Sequence, residues 1–205
     1  MPFLTSGMTS TESVEWGTPR AHHFDPLHEI YDFTLDPAAS HATALLPRYC
    51  TIEGTFDSAM KLPESDGSPV LIDERDGLNR SWAGERVFIN PPWGEGEDPC
   101  PVPHTRCTKQ RCERRGHHIT ERIHGLPDFL LKMRNEFLRN RTLIVAYLPA
   151  RPDTAWMHDY VLPWARVRWL RGRVAYIDPT AEDRIAKGLQ PRTGPPVGTL
   201  VATYR

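Results

Sequence analysis

The run Val87-Phe88-Ile89-Asn90-Pro91-Pro92-Trp93 constrains the fold more than any other stretch of the chain. Two consecutive prolines offer no backbone donor and fix φ near ~−65°, so they cannot continue an interior strand. Val87 to Ile89 therefore reads as a short buried strand that stops at Asn90. Open α/β sheets bind ligands outside the carboxyl ends of their strands. Asn90, the Pro-Pro turn and the large aromatic Trp93 thus fall where chemistry is expected.

The rest of the chain supplies partners for that strand. "TLIVAYLPA" (142–150) is a continuous apolar run of the kind expected of a strand buried on both faces. "FTLD" reads as a strand ending at Asp36, "VLID" as another, and "TLVATYR" as the last. "ARVRWLRGRVAYI" reads as a strand pair or one bent strand around Gly172. Leu126, Phe129, Leu130, Met133, Phe137 and Leu138 follow helical spacing, with Pro127 near the start. Phe24, Leu27, Ile30 and Tyr31 predict a helix from Pro19, with Thr18 as its cap. "DTAWMHDYVL" predicts a short helix capped by Asp153. Strands alternating with helices give an α/β fold with a mostly parallel sheet. Residues 1–14 are Ser/Thr-rich and aperiodic, which predicts a flexible N-terminus before a domain spanning 15–205; 53–70 read as a surface loop.

Length fits one domain carrying an insertion, since 205 residues bury a sizeable core. No apolar run approaches ~20 residues, so no transmembrane helix is expected. The N-terminus lacks the basic and apolar regions of a signal peptide, which predicts a cytoplasmic location. A net charge of −1 gives no global attraction to nucleic acid. Any such contact must use local basic patches, and there are two, "RCTKQRCERR" (106–115) and "ARVRWLRGRV" (165–174).

The Asn-Pro-Pro-Trp turn suits a reaction at an exocyclic amine. Conjugation with an aromatic ring delocalises the amine lone pair and makes it a poor nucleophile. Acceptors aimed at the amine favour a more tetrahedral nitrogen, and the Asn90 side-chain oxygen and Pro91 carbonyl could supply two. Pro92 stiffens the loop. Trp93 offers a face on which a flat base can stack, once that base has left the double helix.

The motif resembles the catalytic turn of S-adenosylmethionine-dependent amino-methyltransferases. "WGTP", "FTLDPAAS", "LPRYC", "DGLNRSWAGERVFINPPWG", "LPARPDTAWMHDYVLP" and "RWLRGRV", in this order over about 16–205, resemble the phage-type DNA N6-adenine methyltransferases, the Dam-like family. The resemblance implies a Rossmann-like methyltransferase sheet, S-adenosylmethionine as cofactor and DNA as partner, in the host cytoplasm for a phage-encoded chain. Asn90, Pro91, Pro92 and Trp93 would be catalytic. Thr18, Pro19, Asp36, Pro37, Ala38 and Asp76 would bind the cofactor, Asp76 accepting from its adenine amine. Glycine-rich family members read Asp-Pro-Phe-x-Gly-x-Gly after the first strand. This chain departs from them with Ala38, Ala39 and Ser40.

Between the turn and the long helix, an insertion expected at 95–125 holds Cys100, Cys107 and Cys112, followed by His117 and His118. Three thiolates and one imidazole make a tetrahedral structural zinc set. The segment has almost no apolar residues, so a metal would supply the folding energy that a core cannot. His118 is the favoured fourth ligand, with His117 and His104 as alternatives. Cys50, far off in sequence, reads as a buried core thiol. Arg106, Lys109, Arg111, Arg114 and Arg115 of the insert suit contact with DNA phosphates. Two other functions fit the same residues: a methyltransferase acting on RNA or a protein glutamine amide, and a non-catalytic zinc-containing nucleic-acid-binding protein.

Overall fold

The computed structural model describes residues 16–40, 42–51, 70–73, 77–192 and 194–205. The expected flexible N-terminus, nearly all of the 53–70 loop and Asp76 lie outside the described residues.

The fold is mixed α/β, with seven described strands in two sheets. β1 (Asp36–Ala39), β2 (Arg48–Thr51) and β3 (Val70–Asp73) form a parallel sheet in the order β1-β2-β3. β4 (Arg86–Ile89), β5 (Leu143–Pro149), β6 (Arg166–Trp169) and β7 (Thr199–Tyr204) form the other, in the order β4-β5-β7-β6. β4 and β5 run parallel, and β7 runs against both β5 and β6. A parallel bridge, Leu35 to Val87, joins the two sheets through β1 and β4. The Phe88 N–H donates to the Leu35 carbonyl at 3.0 Å across that seam.

Strand periodicity explains why the apolar runs are continuous. Val87 and Ile89 of β4, Ile144, Ala146 and Leu148 of β5, and Leu200, Ala202 and Tyr204 of β7 enter one core. The alternate residues Phe88, Val145, Tyr147 and Val201 enter a second core on the opposite face. Successive side chains of a strand point to opposite faces, so a central strand covered on both sides must be apolar throughout. The first core is covered by α3 (Leu126–Asn140), whose Leu126, Phe129, Leu130, Met133 and Phe137 are buried. Leu138 falls off that stripe and is exposed. The Asp128 carboxylate accepts from the Gly125 N–H at 3.0 Å at the start of α3. Arg141, with φ of 54°, ends it. The second core is covered by α1 (Asp25–Tyr31) and the π-helical turn before it, Arg20–Phe24.

Several local expectations need correction. The strand predicted to end at Asp36 instead begins there and runs to Ala39. Pro37 donates nothing to the ladder, and the register shifts between Asp36 and Ala39, so an irregularity absorbs the proline that suggested a stop. Thr18 does not cap the following helix, which starts as a π-turn with no side-chain cap. The helix within 153–162 is also a π-turn, Met157–Val161, and no side chain caps it, Asp153 included. "ARVRWLRGRVAYI" gives one strand, β6. A turn at Gly172 (φ 76°) follows, and Ile177 then bridges Gly17. The short helices α2 (Gln110–Arg115) and α4 (Ala181–Ala186) are additions to the expected elements.

Candidate functional site

The sheet order reverses direction between β1 and β4, and this is where an open α/β sheet leaves a crevice. The crevice here is open and shallow, lined by Trp16, Thr18, Asp36, Ala38 and Asn90 with Thr43 and apolar side chains around them. Four of the ten residues predicted for catalysis and cofactor binding, Thr18, Asp36, Ala38 and Asn90, thus meet in one place. Pro37 is buried within β1, and Pro19 leads into the π-turn, where its carbonyl accepts from Phe24 at 3.2 Å. Pro91 is buried and Pro92 half-buried behind Asn90.

Asn90 stands one residue beyond β4 and is half-buried. Its Nδ2 donates to the Trp16 carbonyl at 2.8 Å. That bond fixes which way round the amide sits and leaves Oδ1 as its acceptor end. Trp16 is held in turn by the neighbouring Gly17–Ile177 bridge, with a 2.9 Å hydrogen bond in each direction. A Cβ on Gly17 would come within 3.3 Å of Ile177 and Thr43 side-chain atoms, so the bridge is tightly packed.

Asp36 is buried and ionises with difficulty. Desolvation pushes its carboxyl up to about 7, against the lowering effect of the Ala38 N–H, which donates to Oδ1 at 3.3 Å. The Thr18 hydroxyl and the Trp16 indole Nε1 are also buried, and neither has a hydrogen-bond partner. Buried polar groups are nearly always satisfied, so two orphaned groups and one protonatable carboxyl on a single crevice mark a place suited to a polar ligand.

Trp93 does not line this crevice. Its ring meets Tyr176 edge-on at 5.5 Å and 87°, and its Nε1 is buried without a partner. Tyr176 is buried and hydrogen-bonded to Thr199 at 3.3 Å, so it gives Trp93 a fixed wall. No sequence pattern signals that wall, which comes from a segment more than eighty positions away. Gly77, beside the predicted Asp76, is a second such residue. A Cβ there would lie 2.0 Å from the Pro37 carbonyl oxygen, and the Trp82 Nε1 donates to the Gly77 carbonyl at 2.8 Å. Only glycine lets this loop lie against β1.

The predicted metal ligands converge. Ligand atoms of Cys100, Cys107, Cys112 and His118 all lie within 4.8 Å of one another, a cluster that could hold a metal ion such as zinc. The Cys100–Cys112 and Cys107–Cys112 sulfur separations are 3.2 and 3.7 Å. A tetrahedral zinc with ~2.3 Å bonds to sulfur sets neighbouring sulfurs about 3.8 Å apart, close to the longer of these. No disulfide forms among the described cysteines. His118 has a buried Nδ1 with no hydrogen-bond partner. Of the three candidate histidines, His118 is the one in the cluster. His104 stacks on its ring at 4.7 Å and 8°. The neck of the insert is backbone-paired: Glu97 and Ile123 exchange hydrogen bonds of 2.8 and 2.9 Å, and the Cys100 N–H donates to the Ile119 carbonyl at 2.9 Å.

Comparisons of the chain with protein-family models, with curated proteins and with solved structures find no match.

Proposed function

We propose that this chain is an S-adenosylmethionine-dependent methyltransferase acting on the N6 amine of adenine in DNA, with a structural zinc in its insert. The observation that carries the reading is Asn90, held by Trp16 at the mouth of a switch-point crevice with its amide oxygen left as an acceptor. The strand order also supports it. Across the joined sheets the strands run β3-β2-β1-β4-β5-β7-β6 with β7 reversed, which leaves between β1 and β4 the switch point where open α/β sheets bind ligands.

S-adenosylmethionine, when bound, supplies a methyl group on a positively charged sulfur, which passes to a nitrogen lone pair with release of a neutral thioether and one proton. The donors and acceptors of the crevice fit such an amine-bearing, positively charged nucleoside. The Thr18 hydroxyl and Trp16 Nε1 are donors in need of acceptors, and the Asp36 carboxylate is an acceptor suited to an amine or to positive charge. The Asn90 Oδ1 would accept from the target amine, in a bond that strengthens as that nitrogen becomes tetrahedral. Pro91 and Pro92 keep the acceptor in place, since neither φ angle can relax. Trp93 and Tyr176 form a rigid aromatic corner beside it, on which a base can stack.

The test is transfer of tritiated methyl from S-adenosylmethionine to DNA, RNA and protein in parallel, with the nucleosides separated afterwards. N6-methyladenine in DNA is expected. Label on cytosine, or none on DNA, overturns the reading; label on RNA or on a protein amide moves the chain to a different substrate class.

A further inference from the structure

We propose that the arginine-rich edge Arg166–Arg173, rather than the Cys/His insert, is the surface that grips the phosphate backbone of DNA; the proposal rests on the methyltransferase reading above. Topology places this edge beside the site. β6 opposes β7, and β7 opposes β5, so β6 runs parallel to β5 and β4. The carboxyl end of β6 therefore emerges on the same side of the sheet as Asn90. From there the chain makes an open turn at Gly172, where a Cβ would meet nothing within 4 Å.

Arg166, Arg168, Arg171 and Arg173 are all exposed, and none forms a salt bridge among the described residues. Trp169 between them is 49% exposed. β6 is an edge strand, bonded to β7 alone among the described strands. Four exposed guanidinium groups and an indole within eight residues, on a chain of net charge −1, make a local polyanion site. Two of the insert's cations differ, Lys109 and Arg122, while Arg106 is exposed and in no salt bridge among the described residues. Lys109 donates to the Asp98 carbonyl at 2.5 Å and lies 3.7 Å from Glu97, while Arg122 is bound to both Asp98 and Asp128. Lys109 and the Arg122–Asp98 pair close the insert on itself, and the Arg122–Asp128 pair ties it to α3.

The basic edge is also continuous with the catalytic turn. Val174, next to Arg173, and Leu170, next to Arg171, pack with the aromatic core that Trp93 touches. Two residues past Val174, Tyr176 meets the Trp93 ring. A duplex held by these arginines would present its backbone beside the corner that receives a flipped base.

The experiment is fluorescence anisotropy of labelled duplex DNA titrated with the full-length protein from about 50 to about 200 mM salt. The logarithm of affinity against that of salt should lose about 2 from its slope in the double variant Arg171→Ala/Arg173→Ala, at ~0.9 per phosphate contact. Arg171→Lys/Arg173→Lys should keep the slope, which separates charge from packing. Arg106→Ala in the insert should leave it unchanged. An unchanged slope in the double alanine variant, or a larger drop in Arg106→Ala, overturns this proposal while leaving the methyltransferase reading standing. A wild-type protein that binds no DNA, or prefers single-stranded RNA, overturns both.

Discussion

The crevice between β1 and β4 and the Cys/His insert are about as different as two sites on one chain can be. The crevice is made by a large core. Strands apolar on both faces carry Asp36 and Asn90 to the sheet edge, and the surrounding groups are fixed by burial or backbone pairing. The insert has only Cys100, Cys112 and Ile119 buried together, with Cys107 against them. Three of those four are the proposed ligands, so there is little apolar burial to hold the segment. One region is stable because the sheet is stable; the other has, in place of a core, four side chains that could meet one ion. Damage to the metal set should therefore stay local, and damage to the crevice should affect chemistry without affecting the insert.

The largest expected effect tests the weaker region. Structural zinc supplies about 10–16 kcal/mol of apparent folding energy in small zinc peptides, far more than the insert's few apolar contacts can provide. Protein purified without added metal should contain about one zinc per chain by elemental analysis. Chelation, or Cys112→Ser, should open 98–122 to protease. The thermal unfolding midpoint of the sheet should move little. Cleavage throughout the chain would show that the insert holds the sheet together and would break the contrast between the two regions.

The reciprocal change is Asn90→Ala. In the proposed reaction it removes an acceptor that matters most in the transition state, and loss of such a preorganised contact costs roughly 10²–10³ in rate. Single-turnover methylation should fall by that factor while zinc content and the unfolding midpoint stay at the wild-type values. A wild-type rate would remove Asn90 from the chemistry.

A third, smaller effect should appear where the two regions touch. The Leu126 N–H donates to the Gly94 carbonyl at 2.7 Å, and a Cβ on Gly125 would lie 2.2 Å from the Gly96 nitrogen and 2.4 Å from the Gly94 oxygen. Gly96 itself has a φ of 78°. This glycine neck, rather than the Cys/His cluster, ties the Asn-Pro-Pro-Trp turn to α3. Gly125→Ala should cost about 1–3 kcal/mol by overpacking, read in denaturant melts. It should slow turnover more than Cys112→Ser does, and the reverse order would place the metal in control of the turn.

Much of this architecture is legible in the amino-acid sequence. The stop at Asn90 follows from two prolines, and β5 declares itself as a strand covered on both faces because seven consecutive positions are apolar or proline. The Cys/His cluster is legible because thiols and imidazoles are scarce and their clustering in a polar segment has few other causes. What stays hidden depends on distant partners. Pro37 looks like a strand terminator until the shifted register beside β2 accommodates it. Thr18 looks like a cap until its hydroxyl is found buried at the crevice without a partner. Periodicity cannot separate a π-turn from an α-helix over five residues, as at Arg20–Phe24. Nor can it reveal that Tyr176 stands against Trp93 or that Gly125 yields room to Gly94.

The smallest effect belongs to Asp36, and it separates the two regions by pH. The carboxyl titrates at about 7 in the folded protein against 3.8 for an ordinary aspartate. A folded-state value above the unfolded one means that the folded chain holds the extra proton between those limits. Stability from this group is therefore greatest below about pH 4 and is lost as pH rises to about 7. Binding of a positively charged cofactor runs the other way, because only the ionised carboxylate attracts it. Affinity for S-adenosylmethionine, measured by calorimetry, should rise about tenfold from pH 6 to pH 8, as expected for one group titrating at about 7. Asp36→Asn keeps an acceptor for the Ala38 N–H but cannot ionise. It should flatten that rise, weaken binding at pH 8, and raise the unfolding midpoint there relative to wild type. Zinc content should not change in the variant over this range, since Asp36 is not in the cluster. A pH-dependence that survives Asp36→Asn would assign the titration to another group and take Asp36 out of the cofactor site.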